Sequence, residues 1–309
     1  MGRYPFNPVE KVRDLKELTD YSTRTYADKD AYLIMTGRDS YKGVTYRQFG
    51  KELTALAKRH KLALVEDVAQ AAGGSYRGKR LGSIGTIGCF SFDYYKVLNS
   101  GEGGFVTTRN EWLYTRAQSW HDCAACWRPN RFASERREGE LFCGENYRLS
   151  ELQGAVALAQ IRRAGAILKG YRTAKRRILA GLKLPAGVAL QRVADPEGDV
   201  GTNLVIYLPD AAKAKSAAAA LGAEGVPAGG IYDAKIKNWH IYSHWEHILD
   251  RKAVAPDNLP WSGVKKSELP VYSKTMCPNA LDYLGRAVVV GIQNDFSADD
   301  CRAIARGIN

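Results

Sequence analysis

The sequence predicts an α/β fold with a mostly parallel sheet in a large domain, followed by a smaller α+β domain. Three observations carry that prediction. Residues 45–60, "TYRQFGKELTALAKRH", have the period of an amphipathic helix and lead into "KLALVED", an unbroken apolar run suited to a parallel strand buried on both faces. Two further strand-like runs follow, "TIGCFSF" at 86–92 and "GGFVTT" at 103–108. Beyond "LPAG" at 184–187 the texture changes, and a second set of strand and helix patterns begins.

In the first helix Phe49, Leu53 and Leu56 share a face, and basic residues in its last turn suit the helix dipole. "GSYRGKRLGS" has the glycine spacing of a hairpin or tight loop. Residues 110–140, rich in tryptophan and arginine, read as a long irregular surface or active-site loop. Ser150 and Gln153 form a capping box, with Leu152, Val156 and Ala159 on one face of a helix that runs towards Leu182. A strand at 202–208, an alanine-rich helix at 210–221, a strand at 287–291 and a helix at 297–307 capped by Ser297 complete the chain. The expected division is an atypical segment over 1–50, a large domain over 51–183 and a small domain over 184–309.

Composition narrows the function. Hydrophobic residues make up 45% of the 309 and charged ones 25%, enough to build a core. No apolar run reaches the ~18 residues that span a bilayer, and the N-terminus lacks the apolar centre of a signal peptide. The expected location is therefore cytoplasmic, with no membrane partner. The net charge of +12 is spread along the chain, which favours attraction of small anions over nucleic-acid binding. Only Cys123 and Cys126 form a C-x-x-C pair, and no second pair stands at zinc-site spacing, so reduced thiols are expected. His240, His244 and His247 lie among tryptophans, where packing is the expected role rather than metal binding.

Ligands of an open α/β sheet bind at the carboxyl ends of its strands. Asp67 ends the first buried run, and Ser91 and Lys96 follow the next, with Gln70 and Asn146 in segments able to reach the same crevice. A carboxylate and a lysine at one pocket suggest pyridoxal 5'-phosphate. The amine would bind the cofactor's aldehyde, and the acid would keep the ring nitrogen protonated. Lysine suits this work because burial and nearby cations free its amine.

The stretch "VEDVAQAAGGSYRGKRLGSIGTIGCFSFDYYKVLNSGEGGFVTT", with "GENYRLSELQGAVALAQI" downstream, resembles the sugar aminotransferases of the DegT/StrS group. The shared pattern is E-D-x-A-Q-A-x-G, G-S-x-G, F-S-F with lysine five residues after the serine, G-x-G-G and G-x-N-Y-R. The resemblance implies a fold-type-I architecture and a transaminating member, since the lysine is kept. It implies that Lys96 binds the cofactor and moves protons. Asp67 would pair with the ring nitrogen, Gln70 would contact the ring hydroxyl and Ser91 would hold the phosphate. Asn146 would reach the cofactor of a partner subunit, which implies a homodimer with shared sites. His121 is either a substrate contact or a packed loop histidine. "KNWHIYSHWEHILDRKAVAPDNLP" is similar to the subgroup that makes 8-amino-3,8-dideoxy-octulosonate, a lipopolysaccharide sugar, using glutamate as amino donor. On that likeness Trp239 and His240 belong to a substrate-facing loop.

The chain also departs from the group. The E-D motif comes at 66–67, early for the family, and no S/G-T-x-A phosphate turn precedes it. The first ~50 residues instead resemble the opening of an adenylate-forming acyl ligase, without that family's ATP-binding loops. These departures predict a fused or shortened large domain with an exposed sheet edge, and with it an alternative role as a catalytically impaired remnant that binds or regulates a partner.

Overall fold

The computed structural model describes residues 62–124, 135 and 138–309, preceded by two short antiparallel strands, β1 (Met35–Gly37) and β2 (Ser40–Tyr41). The expected helix at 45–60, Cys126 and, these two strands apart, the ligase-like segment lie outside the described residues. Two compact units divide the rest. One holds residues 62–185, 191–204 and 290–309, and the other holds 186–190 and 205–289.

In the first unit, β3 (Val65–Asp67), β6 (Ile87–Ser91) and β7 (Gly104–Thr108) form one sheet in the order β3-β6-β7. β3 runs parallel to β6, and β7 returns antiparallel. Between them β4 (Ser75–Tyr76) and β5 (Lys79–Arg80) make the expected hairpin. Its turn places Arg77 and Gly78 at positive φ, 51° and 75°, the pairing that matches strand twist in a two-residue turn.

The run at 61–67 is not buried on both faces as its composition suggested. β3 has only three residues, and Val65 is 57% exposed. It is the outer strand of its sheet, and among the described residues no strand pairs with its free edge. The irregular loop expected over 110–140 is also corrected. Its first part is a helix, α1 (Glu111–His121), started by Asn110, whose side chain accepts the Leu113 N–H at 3.0 Å.

The long helix α2 (Glu151–Ala180) begins with the predicted box: Ser150 accepts the Gln153 N–H, and the Gln153 side chain accepts the Ser150 N–H. The face that Leu152, Val156 and Ala159 share is exposed, Leu152 by 77%. The helix buries Ala157, Ile167, Leu168, Ala174 and Ile178 instead, the first two in a cluster with Ala72, Phe92 and Leu98. Its second half packs on the closing helix α6 (Ala298–Ile308), which Ser297 and Asp300 cap reciprocally and which buries Cys301, Ile304 and Ala305. Lys175 pairs with Asp199 at 2.5 Å, tying α2 to the 195–200 loop.

The four-stranded sheet has the order β10-β11-β9-β8, built from β8 (Ala189–Leu190), β9 (Asn203–Tyr207), β10 (Ala228–Gly230) and β11 (Ala287–Gly291). Leu204, Val205, Ile206, Ala287, Val288 and Val290 are its buried side chains, an apolar set suited to a covered sheet. Around it lie α3 (Ala211–Ala223), capped by Asp210, the one-turn α4 (Glu246–Leu249) and α5 (Pro278–Gly285). No helix among the described residues is long and apolar enough to cross a membrane.

Candidate active site

Asp67 closes β3 and Ser91 closes β6. In the parallel register Asp67 stands opposite Cys89, and Ser91 follows Cys89 by two positions. Residues two apart on a strand point the same way, so the Asp67 carboxylate and the Ser91 hydroxyl share one face. Val65 and Val106 belong to that face too, and both are more than half exposed, so it is open. Gly104 stands opposite Ser91 and brings no side chain into the space. The other face carries Glu66, Gly88, Phe90, Phe105 and Thr107 and is filled. Phe90 and Phe105 stack at 4.1 Å, and Phe90 packs on the Phe92–Leu98–Ile167 cluster.

Lys96 lies in the turn that follows β6. Ser91 Oγ accepts the Asp93 N–H at 3.2 Å, Asp93 Oδ1 accepts the Tyr95 N–H at 2.9 Å, and the Asp93 carbonyl accepts the Lys96 N–H at 2.9 Å. Ser100 donates back to the Phe92 carbonyl at 2.9 Å and closes the turn. The Lys96 backbone is therefore fixed, while its side-chain amine has no hydrogen-bond or ion-pair partner among the described residues. On β3's side, Asp67 Oδ1 accepts the Ala69 N–H at 3.0 Å, which orients the carboxylate, and Gln70 stands exposed in the same turn.

The remaining predicted residues form separate groups. His121 and Asn146 come together at the end of α1. Tyr147 N–H donates to the His121 carbonyl at 2.8 Å, and Asn146 bridges to Asp122. His121 Nδ1 is 2.5 Å from the Gln118 carbonyl, so that nitrogen is engaged within its own helix. Trp239 and His240 lie in the other unit, on a cavity of ≈ 780 Å³ floored by Ala211, Ala214 and Ala218 of α3. Trp239 stacks on His247 at 5.5 Å, His240 Nδ1 contacts Asn238 Oδ1 at 3.0 Å, and His244 Nδ1 accepts the Asn238 N–H at 2.8 Å. Each of these three histidines has a local partner. Among the described residues no group of three or more histidine, cysteine or acidic side chains is placed to hold a metal.

The sequence drew attention to neither Glu66 nor the Asp122–Arg148 pair. Glu66 accepts three backbone N–H groups from the loop at 82–85. Arg148 binds Asp122 at 2.8 Å, and that hydrogen bond raises the guanidinium above its ordinary pKa against the opposing effect of desolvation. The arginine of the N-Y-R motif was its signal.

The end of the sheet thus offers a carboxylate and a hydroxyl on one open face, an amide in the turn after β3 and a primary amine in the turn after β6. That donor set fits pyridoxal 5'-phosphate: an acid for the ring nitrogen, an amide for the ring hydroxyl, a hydroxyl for the phosphate and an amine for the aldehyde. The segment before residue 62, where the resemblance expects a phosphate turn but the sequence shows none, lies outside the described residues apart from β1 and β2.

Comparison with known proteins agrees. Residues 50–257 match the model of the DegT/DnrJ/EryC1/StrS aminotransferase family. The L-glutamine:2-deoxy-scyllo-inosose aminotransferase of Streptoalloteichus tenebrarius is 43% identical over 114 residues, 36% of this chain and 27% of that protein. A putative L-glutamine:3-amino-2,3-dideoxy-scyllo-inosose aminotransferase of Streptomyces kanamyceticus is 27% identical over 273 residues, 82% of this chain and 60% of that one. Among solved structures, E. coli GDP-4-keto-6-deoxy-D-mannose-3-dehydratase with bound hydrated PLP superposes with a TM-score of 0.64 at 16% identity, covering 84% of this chain and 64% of the other. The fold is that of the fold-type-I α/β transferases. The chain spans between 27% and 60% of the length of these two curated relatives.

Proposed function

The chain belongs to the DegT/DnrJ/EryC1/StrS aminotransferase family, and we propose that it is a pyridoxal 5'-phosphate-dependent aminotransferase that moves an amino group from an amino acid to a keto- or aldehyde-sugar. The observation that carries this reading is the placement of Asp67 and Ser91 on one open sheet face, with the Lys96 amine, unpartnered among the described residues, in the turn just beyond it.

When bound, the cofactor supplies a ring that draws electrons from the substrate carbon bearing nitrogen. Lys96 would hold the cofactor through Nζ, and that nitrogen would carry a proton to and from the substrate carbon. Asp67 keeps the ring nitrogen protonated, and its carboxylate is already held by the Ala69 N–H. Ser91 Oγ accepts the Asp93 N–H and so keeps its own hydrogen for a phosphate oxygen. Gln70 contacts the ring hydroxyl, and Asn146 serves the cofactor of a second copy in a homodimer. His121 in the one unit, and Trp239 and His240 in the other, are each a candidate acceptor contact on the family likeness.

Glutamate is the donor we favour, and the names of the relatives make glutamine the other donor to test. An aldehyde sugar acid on the way to 8-amino-3,8-dideoxy-octulosonate suits a chain of net charge +12, with the enzyme acting in the cytoplasm. The open face around Val65 and the three-residue outer strand favour a second reading, a remnant of this fold that binds or regulates a partner.

Titration with pyridoxal 5'-phosphate tests the choice. Transaminase function predicts a visible absorbance band that borohydride bleaches, that Lys96→Ala abolishes and that glutamate or glutamine discharges. A wild-type protein without the band has no such function, and the remnant reading then holds.

A further inference from the structure

A three-residue outer strand in a parallel pair is a weak support for a carboxylate that has to stay in place, because parallel ladders are the less stable kind and an outer strand has one neighbour. β3 has a second attachment. Glu66 Oε2 accepts the Gly82 N–H at 2.8 Å, and Oε1 accepts the Ile84 and Gly85 N–H groups at 2.8 and 2.6 Å. The carbonyl of Gly82 accepts the Thr107 hydroxyl at 2.6 Å. Between these two side chains in the ladder stands Gly88, and a Cβ there would collide with the Gly82 backbone. Glu66, Gly88 and Thr107 are one cross-strand row, one residue from each strand, and all three meet Gly82. Gly82 can lie there because it has no side chain: it adopts φ +82°, and a Cβ would strike the Phe90 ring. The next row is Asp67, Cys89 and Val106, facing the other way.

We infer that Glu66 is the positioning residue for Asp67: with Thr107 it bolts the 82–85 loop across the filled face of the sheet, and this holds the end of β3 in register so that Asp67 and Ser91 stay side by side on the open face. The inference rests on the cofactor reading proposed above for the consequence, and on the register alone for the mechanism. A carboxylate is needed because three donors meet one side chain, and a neutral amide would turn an NH₂ group towards an N–H.

The Val68 N–H reports the strand end independently of any cofactor, since it donates to the Cys89 carbonyl at 2.8 Å beside Asp67. Hydrogen exchange in Glu66→Gln is expected to quicken at Gly82, Ile84, Gly85 and also Val68. Thr107→Val should do the same more mildly, and Thr107→Ser, which keeps the hydroxyl, should restore wild-type protection. The dissociation constant for pyridoxal 5'-phosphate should rise about tenfold in Glu66→Gln, the size of a lost charged hydrogen bond. Lys96→Ala should lose the absorbance band yet leave Val68 protection unchanged. Val68 protection equal to wild type in Glu66→Gln, with only the loop amides exchanging faster, overturns the inference, as does unaltered cofactor affinity. A wild type that forms no band removes the proposed function, and Val68 exchange alone then decides the role of Glu66.

Discussion

The two halves of α2 carry apolar residues at similar spacing and meet opposite fates. In the C-terminal half Ile167, Leu168, Ala174 and Ile178 are buried against the sheet cluster and α6, Ile178 completely. In the N-terminal half Ala157 alone is buried, in the same cluster, while Leu152, Val156, Leu158 and Ile161 are exposed. Helical periodicity shows which residues can share a face; it is silent on what covers that face. Tyr147 and Leu149, just before the helix, are exposed as well.

Substitutions along the helix can break this contrast. Ile178→Ala should have the largest effect, a loss of about 2–5 kcal/mol in chemical denaturation, because a cavity is left where no solvent enters. A loss under ~1 kcal/mol would mean that this half of the helix is no better packed than the other. Lys175→Met should cost roughly 1–3 kcal/mol, since Asp199 would lose its partner while remaining mostly covered. Ser150→Ala should cost about 1 kcal/mol in the same assay by opening the capping box at the exposed end. Leu152→Gln should change stability by no more than ~0.5 kcal/mol, as its side chain already faces solvent. Thiol labelling sharpens the comparison from another side. Burial raises the Cys301 thiol above its ordinary pKa, so Cys301 should react only on unfolding, whereas exposed Cys123, Cys143 and Cys277 should label in the native protein.

Local signals were legible in the sequence because their physics is local. The Ser150 and Ser297 caps, the 75–80 hairpin and the strands at 87–91 and 104–108 all follow from residues within one turn or one ladder step. Asp67, Ser91 and Lys96 were singled out by their motifs, and the register between β3 and β6 puts the first two on one face. The helix at 111–121 was missed because tryptophan, tyrosine and arginine obscure its weak amphipathic pattern, although Asn110 followed by Glu111 was a start signal. The role of Glu66 could not be read, because its partners lie 16 to 19 residues further on and are backbone groups with no chemical signature. The burial of α2 could not be read either, since it depends on which elements pack against each face.

Asn309 offers a last consequence. Its side-chain oxygen takes the Lys183 N–H at 2.6 Å, and its side-chain nitrogen gives a hydrogen to the Gly181 carbonyl at 2.9 Å, so one amide buckles the finish of α2 to the finish of α6. Removing that side chain, as in Asn309→Ala, should make both helical tails fray together, well away from the residues proposed for chemistry.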